Sequence, residues 1–269
     1  MRSNNVEDKV AAHYSRSDLT KRVLEKLGAE QAQPGDLTIE ALAPIDQLHH
    51  GGMGLSERLA RVAGITTGMH VLDAGSGIGG GARYLADRLG CTVEALDLST
   101  DFIATAKELD RLVGVADKIN QHVGSVTDLP FEADQFDVVW SQNVTMNIAD
   151  KHTMFSEAHR VLRPGGVFAF THIAAIDGAE LDYPMPWAMT PETSFLGTQE
   201  EVLDVLRAVG FDAVEDHAKP APTAPPPGAE PPQDNIAMGD DMPLRRENTM
   251  KAVMAGRLTP MMVTARRMA

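Results

Sequence analysis

Apolar and polar positions along this chain follow two rhythms that take turns from residue 69 onwards. Met69 to Asp73, Thr92 to Asp97 (TVEALD), Ile119 to Val123, Phe136 to Trp140 (FDVVW) and Val167 to Ile173 are short runs bounded by turn residues, the signature of strands. FDVVW is nearly all apolar, as a strand covered on both faces must be. Between these runs the spacing is helical. Ala82, Leu85, Ala86 and Leu89 share one face, as do Phe102, Ile103, Ala106 and Leu109 behind the N-cap candidate Ser99. Asp150 caps a helix carrying Met154, Ala158, Val161 and Leu162, stopped by Arg163-Pro164-Gly165-Gly166. Thr198 with Glu201 forms a capping box for a helix over 199–208 ended by Gly210, and Phe211 to Val214 begins a sixth strand. Strands alternating with helices predict an α/β chain with a doubly wound, parallel sheet whose ligand lies at the carboxyl ends of the strands.

The two ends depart from this rhythm. Val6, Val10, Tyr14, Leu19, Val23, Leu24 and Leu27 give one helical stripe over 5–27, closed by Gly28. A break at Gln33-Pro34-Gly35 follows, then a short helix from Thr38 and another from Ser56 to Ala63. Residues 1–67 thus read as a helical cap on an α/β core of residues 68–218. Residues 219–234 (KPAPTAPPPGAEPPQD) form a proline-rich loop. In 235–269, a helix from Met242 to Ala255 and a strand from Thr259 to Ala265 complete the core. If that strand inserts antiparallel beside the sixth, the sheet has seven strands.

Where the first strand meets its helix, VLDAGSGIGGG places five glycines (Gly75, Gly77, Gly79, Gly80, Gly81) within seven positions. Without Cβ atoms the backbone can bend sharply against a ligand that faces the N–H groups of the following helix. Gly75, Gly77 and Gly80 satisfy GxGxxG, the dinucleotide fingerprint, with Asp97 at a suitable distance for a ribose. Gly75, Gly77 and Gly79 equally satisfy GxGxG preceded by an acid, as in S-adenosylmethionine (AdoMet) methyltransferases. The glycines alone leave both open.

Composition narrows the classes. The 269-residue chain has a net charge of −14, which disfavours nucleic acid and anionic membrane and suits a cationic ligand, or simply a highly charged surface. No apolar run is long enough for membrane insertion, and MRSNNVEDKV lacks the apolar centre of an export signal, so a cytoplasmic protein is expected. A single cysteine, Cys91, excludes an internal disulfide, and the nine histidines show no paired metal spacing, so no metal site is expected.

VLDAGSGIGGGARYLA, ALDLS, DLPFEADQFDVVWSQ and EAHRVLRPGG occur in that order. Together they resemble the class I AdoMet-dependent methyltransferases, with a closer likeness to the group holding the ubiquinone/menaquinone C-methyltransferases and the sarcosine/dimethylglycine N-methyltransferases. The resemblance covers roughly residues 46–217. It implies a Rossmann-like sheet, AdoMet as cofactor and transfer of its methyl group to a small molecule. A homodimer is compatible with it. By resemblance, Asp97 accepts hydrogen bonds from both ribose hydroxyls, Gly75 and Gly77 lie against the methionine part, and Asp73 stands near its amino group or orients the turn. Leu98 is expected on the adenine, with Val126 and Gln142 also at the cofactor. The family commonly has an acid after the third strand for the adenine amino group. Here Gly124-Ser125-Val126 puts Ser125 in its place, which weakens that contact or moves it to a backbone group or another side chain.

Methyl transfer from a sulfonium is an in-line displacement that needs positioning and exclusion of water more than strong acid–base chemistry. His49, in LHHGG, is the candidate base or hydrogen-bonding residue, against an ordinary loop histidine. Tyr14 is a candidate lid aromatic over the cofactor, against a role in helix packing. Asn143, Met146 and Asn147 after the fourth strand, His172 on the fifth, and Tyr183 and Trp187 in the following insertion are candidates to line the acceptor pocket. A ring face there would suit a cationic amine or a flat apolar substrate. An amine nitrogen is the expected acceptor. C- or O-methylation of a quinone, phenol or terpenoid, and non-catalytic AdoMet binding, are the alternatives.

Overall fold

The computed structural model describes residues 3–14, 18–49, 51–218 and 236–268. Four helices lead: α1 (Ser3–Tyr14), α2 (Leu19–Leu27), α3 (Ile39–Asp46) and α4 (Gly52–Ala63). The stripe expected as one helix over 5–27 is therefore two. Residues 15–17, between the two, lie outside the described residues. Thr38 caps α3 by accepting from the Ala41 N–H at 3.3 Å. Helix α4 starts four residues before the expected Ser56.

The alternating region follows as β1 (His70–Ala74), α5 (Gly80–Arg88), β2 (Thr92–Asp97), α6 (Thr100–Val113), β3 (Ile119–Val123), β4 (Phe136–Gln142), α7 (Lys151–Val161), β5 (Leu162–Ala175), α8 (Gln199–Val209) and β6 (Phe211–Asp216). Ser99, Asp150 and the Thr198/Glu201 box cap α6, α7 and α8. Helix α9 (Met242–Met254) and β7 (Leu258–Arg267) close the chain. The RPGG segment does not separate α7 from β5 as expected. Phe136 pairs with Leu162 and Val138 with Val167, so Arg163 to Gly166 form a bulge within one strand. The proline-rich 219–234 segment lies outside the described residues.

The sheet order is β3-β2-β1-β4-β5-β7-β6, parallel from β3 to β5, with β7 antiparallel to both β5 and β6. Period-two alternation sends successive side chains to opposite faces. Leu72 and Val139 join one core with Phe136, which precedes the register shift in β4, and with Phe155, Phe168, Phe170 and Phe211. Val71, Val138 and Trp140 join the other with Leu59, Tyr84 and Leu85. Helices α2 and α3 bury Leu19, Val23, Leu42 and Ile45 against Ile78 of the glycine turn and Phe102 and Leu109 of α6. The chain's leading helices are thus seated on the ligand end of the sheet. Among the described residues no helix is long and apolar enough to cross a membrane.

Candidate active site

The glycine turn leaves β1 in the left-handed region at Gly75 (φ +84°) and Gly77 (φ +56°). Its Gly75 and Ser76 N–H groups both donate to the Leu96 carbonyl, at 2.7 and 3.0 Å, which ties the turn to β2. Asp97 at the tip of β2 secures it further: Oδ2 accepts from the Gly77 N–H at 2.8 Å and Oδ1 from the Ser99 N–H at 2.9 Å. A cavity crosses the strand tips at this level. It runs from Gln142, Asn143 and Val144 after β4, over Gly75 to Gly77 after β1 and Asp97 to Ser99 after β2, to Gly124, Ser125 and Val126 after β3. This order follows from the sheet, in which those four strands are neighbours. Glu7, Val10, Ala11 and Tyr14 of α1 form the facing wall.

Three buried polar atoms on this cavity have no hydrogen-bond partner: Asp73 Oδ2, Ser76 Oγ and Gln142 Nε2. Buried polar groups are almost always paired, so a trio left open around one cavity marks where a ligand completes them. One acceptor beside two donors matches an α-amino acid, whose ammonium and carboxylate need those partners. Burial, then the negative charge of Asp97, pushes the Asp73 carboxyl up to about 7, against the opposing Ala82 N–H and Arg83. Burial also raises Asp97. Two carboxyls held above their ordinary range by an apolar wall are stabilised in their charged form by a cationic ligand. The turn has no room for side chains here. A Cβ at Gly75 would lie 2.2 Å from Val144 Cγ2, and one at Gly77 would lie 2.9 Å from Leu48 Cδ1. These features fit the methionine and ribose parts of AdoMet.

A second cavity adjoins the first on the β4–β5 side, lined by Met146, Ile173, Trp187, Met242, Arg246 and Gln47 among others. Tyr14, Leu48, His49, Asn143 and Met238 line both cavities and form the wall between them. The Tyr14 hydroxyl donates to Asn147 Oδ1 at 3.2 Å, and burial holds it protonated far above the ordinary phenol range, with Asp97 adding and Arg245 opposing. His49 Nε2 lies 3.4 Å from Ser56 Oγ. Under the turn, fully buried Arg83 joins the layers. It donates to Asp46 Oδ2 of α3 at 2.9 Å, to Asp110 Oδ1 of α6 at 2.8 Å and to the Ile78 carbonyl at 2.5 Å.

Tyr14, Asp73, Gly75, Gly77, Asp97, Leu98, Ser125, Val126 and Gln142 all line the first cavity, and Asn143 and Asn147 line it too. Met146 and Trp187 line the second. Two expectations are corrected. His172 is in the core, bonded to Thr145 Oγ1 at 2.6 Å and to the Leu196 carbonyl at 2.8 Å, and burial, with the charge of Lys151, drives it down to about 3. It faces neither cavity because its strand position points into the layer under the 3-10 turn at Thr145–Asn147. Tyr183 packs beside Met185 and Trp187, away from both linings. Sequence reasoning missed Leu48, Ser76 and Val144, which neighbour chosen residues. It also missed Glu7, Met238 and Arg246, which lie far along the chain with no motif around them.

A family profile described as "Methyltransferase domain" matches residues 72–170. The sarcosine/dimethylglycine N-methyltransferase of Halorhodospira halochloris is 35% identical over 155 residues, 57% of this chain and 56% of that protein. Phosphoethanolamine N-methyltransferase 2 of Caenorhabditis elegans is 32% identical over 160 residues, 58% of this chain and 36% of that protein. The chain spans about half the length, or less, of the curated relatives it matches. In fold it is similar to geranyl diphosphate C-methyltransferase from Streptomyces coelicolor, with a TM-score of 0.69 at 18% identity over 97% of each chain. The motif order, the seven-stranded sheet and the profile match agree on residues 72–170 as a methyltransferase domain.

Proposed function

We propose that this chain transfers the methyl group of AdoMet to a small molecule, with an amine nitrogen as acceptor. The observation that carries it is the pair of cavities meeting at one wall. The cavity on the glycine-turn side has carboxylates and unpaired donors suited to AdoMet, and its neighbour has an apolar lining suited to a small organic acceptor. When bound, AdoMet supplies a methyl carbon made electrophilic by the adjacent sulfonium. Asp97 accepts from the ribose hydroxyls with the lone pairs that its two backbone donors leave. Asp73 receives the ammonium, and Ser76 and Gln142 donate to the carboxylate. Tyr14, Leu48 and Met238 exclude water at the wall. His49, at the same wall, orients the nucleophile or takes the proton it loses. The leading helices, residues 1–67, act as a cap.

Among the described residues no Asp or Glu lines the acceptor cavity, while Arg246 does. A permanently cationic acceptor therefore finds no counter-charge there. An amine that enters neutral fits better, and the N-methylating relatives support nitrogen. Met146, Ile173, Trp187 and Met242 favour a second reading, C- or O-methylation of an apolar acceptor such as a terpenoid or phenol. Incubation with methyl-labelled AdoMet and a panel of amino acids, other amines, phenols and isoprenoids separates them. Label transferred to amines is expected, whereas turnover confined to phenols or isoprenoids overturns the nitrogen assignment.

A further inference from the structure

The cavity's far end, after β3, is built differently from the rest. Leu98 and Val126 are apolar walls there, and the polar edge comes from outside the sheet. Glu7 reaches down from α1, and its Oε1 accepts from Ser125 Oγ at 2.7 Å and from Thr127 Oγ1 at 3.0 Å. The two hydroxyls are themselves 2.7 Å apart and are set by a tight turn in which the Thr127 N–H donates to Ser125 Oγ at 3.1 Å. Both hydroxyls meet Oε1, so Oε2 keeps lone pairs for an N–H donor. Elsewhere α1 is held to the body through side-chain contacts such as Tyr14 to Asn147 and the exposed Lys9–Glu192 pair.

On the assignment of AdoMet to this cavity, the strand order fixes which part of the ligand arrives here. With the amino-acid group at β1 and β4 and the sugar at Asp97 on β2, the base extends to the tip of β3. We infer that Glu7 is the residue that reads the base. Its carboxylate accepts from the exocyclic amino group of adenine, while the same side chain, through Ser125 and Thr127, fastens α1 over the cavity. Selection of an amino-purine and closure of the first helix are then one interaction. A carboxylate accepts from an amino group but repels the carbonyl oxygen that replaces it in hypoxanthine, so Glu7 discriminates between them.

The test uses the full chain and titration calorimetry with S-adenosylhomocysteine and its deaminated counterpart S-inosylhomocysteine. The wild-type chain is expected to favour the adenosyl ligand at least about tenfold. Glu7→Ala and Glu7→Gln are expected to bring the two affinities to within about threefold of each other. Thr127→Val, which weakens the fastening and leaves the carboxylate, should lower both affinities together and keep their ratio. Unchanged discrimination in both Glu7 variants overturns the inference, as does an equal loss for both ligands, because Glu7 would then only fasten the helix. If the wild-type chain binds neither ligand, the assignment of the cavity fails, and this inference with it.

Discussion

The two halves of the paired cavity are made from different material. The glycine-turn half rests on the tips of four neighbouring parallel strands, whose backbone positions are set by ladders that bury both faces of the sheet. The half proposed for the acceptor takes Ile173 from β5 and Asn143 and Met146 from the turn after β4, and is otherwise assembled mainly from α3 and the segment after it, the insertion after β5, and α9 with the residues before it. One half is held by long-range sheet pairing and the other largely by packing of connections. A change in the first should therefore disturb ligand affinity and stability together, and a change in the second should alter acceptor kinetics alone.

The largest effect is expected from Gly75→Ala. Its positive φ and the 2.2 Å approach to Val144 combine backbone strain with overpacking, for a cost of about 2–6 kcal/mol. Urea denaturation should show the lost stability, and calorimetry should detect no S-adenosylhomocysteine binding. Preserved binding would break the idea that this half is rigid. Next, Asp97→Ala should weaken AdoMet at least about tenfold, the worth of one charge-assisted hydrogen bond. Unchanged affinity in calorimetry would remove the ribose assignment.

A smaller effect comes from Asp73. With its carboxyl held up to about 7, a cationic ligand must displace a proton below that pH. Affinity for AdoMet should be level above about pH 7 and fall by up to about tenfold per pH unit below it, read by calorimetry across that range. The ligand-free chain binds an extra proton between about pH 4 and 7, so this group's contribution to stability is present at the acid end and is lost as pH rises through that window. A flat affinity profile would mean that Asp73 does not meet the ammonium. Smallest is Trp187→Phe on the acceptor side. It keeps a ring but loses the indole N–H bond to Ser194 Oγ at 2.9 Å. The acceptor KM should rise a few-fold, about 1 kcal/mol, with AdoMet affinity unchanged. An equal change in both would erase the contrast between the halves.

The same contrast explains what the sequence revealed. VLDAGSGIGGG and Asp97 are local: strand, turn and acid follow one another, so the turn and the acid beside it are legible without knowing the fold. The capping residues Ser99, Asp150 and Thr198 were legible for the same reason. The position of β7 between β5 and β6 was only half legible, because antiparallel insertion is decided by which edges remain open. On the acceptor side, His172 and Trp187 lie in similar apolar surroundings in the sequence. Yet one is turned into the core by its strand register and the other reaches the cavity. Glu7 illustrates the limit. A glutamate on a mixed helix has no local signal, and only tertiary placement brings it 2.7 Å from Ser125.

Arg83 carries a consequence for anyone recombining this chain with a relative. Its guanidinium is divided between an acid on a leading helix, Asp46, and one on the sheet-flanking helix, Asp110. A chimera that imports foreign leading helices would leave that buried cation with Asp110 alone unless the graft brings its own acid to the same spot, at a cost in stability. The end of α3 is therefore not a freely exchangeable cassette, since it must match the arginine beneath the turn.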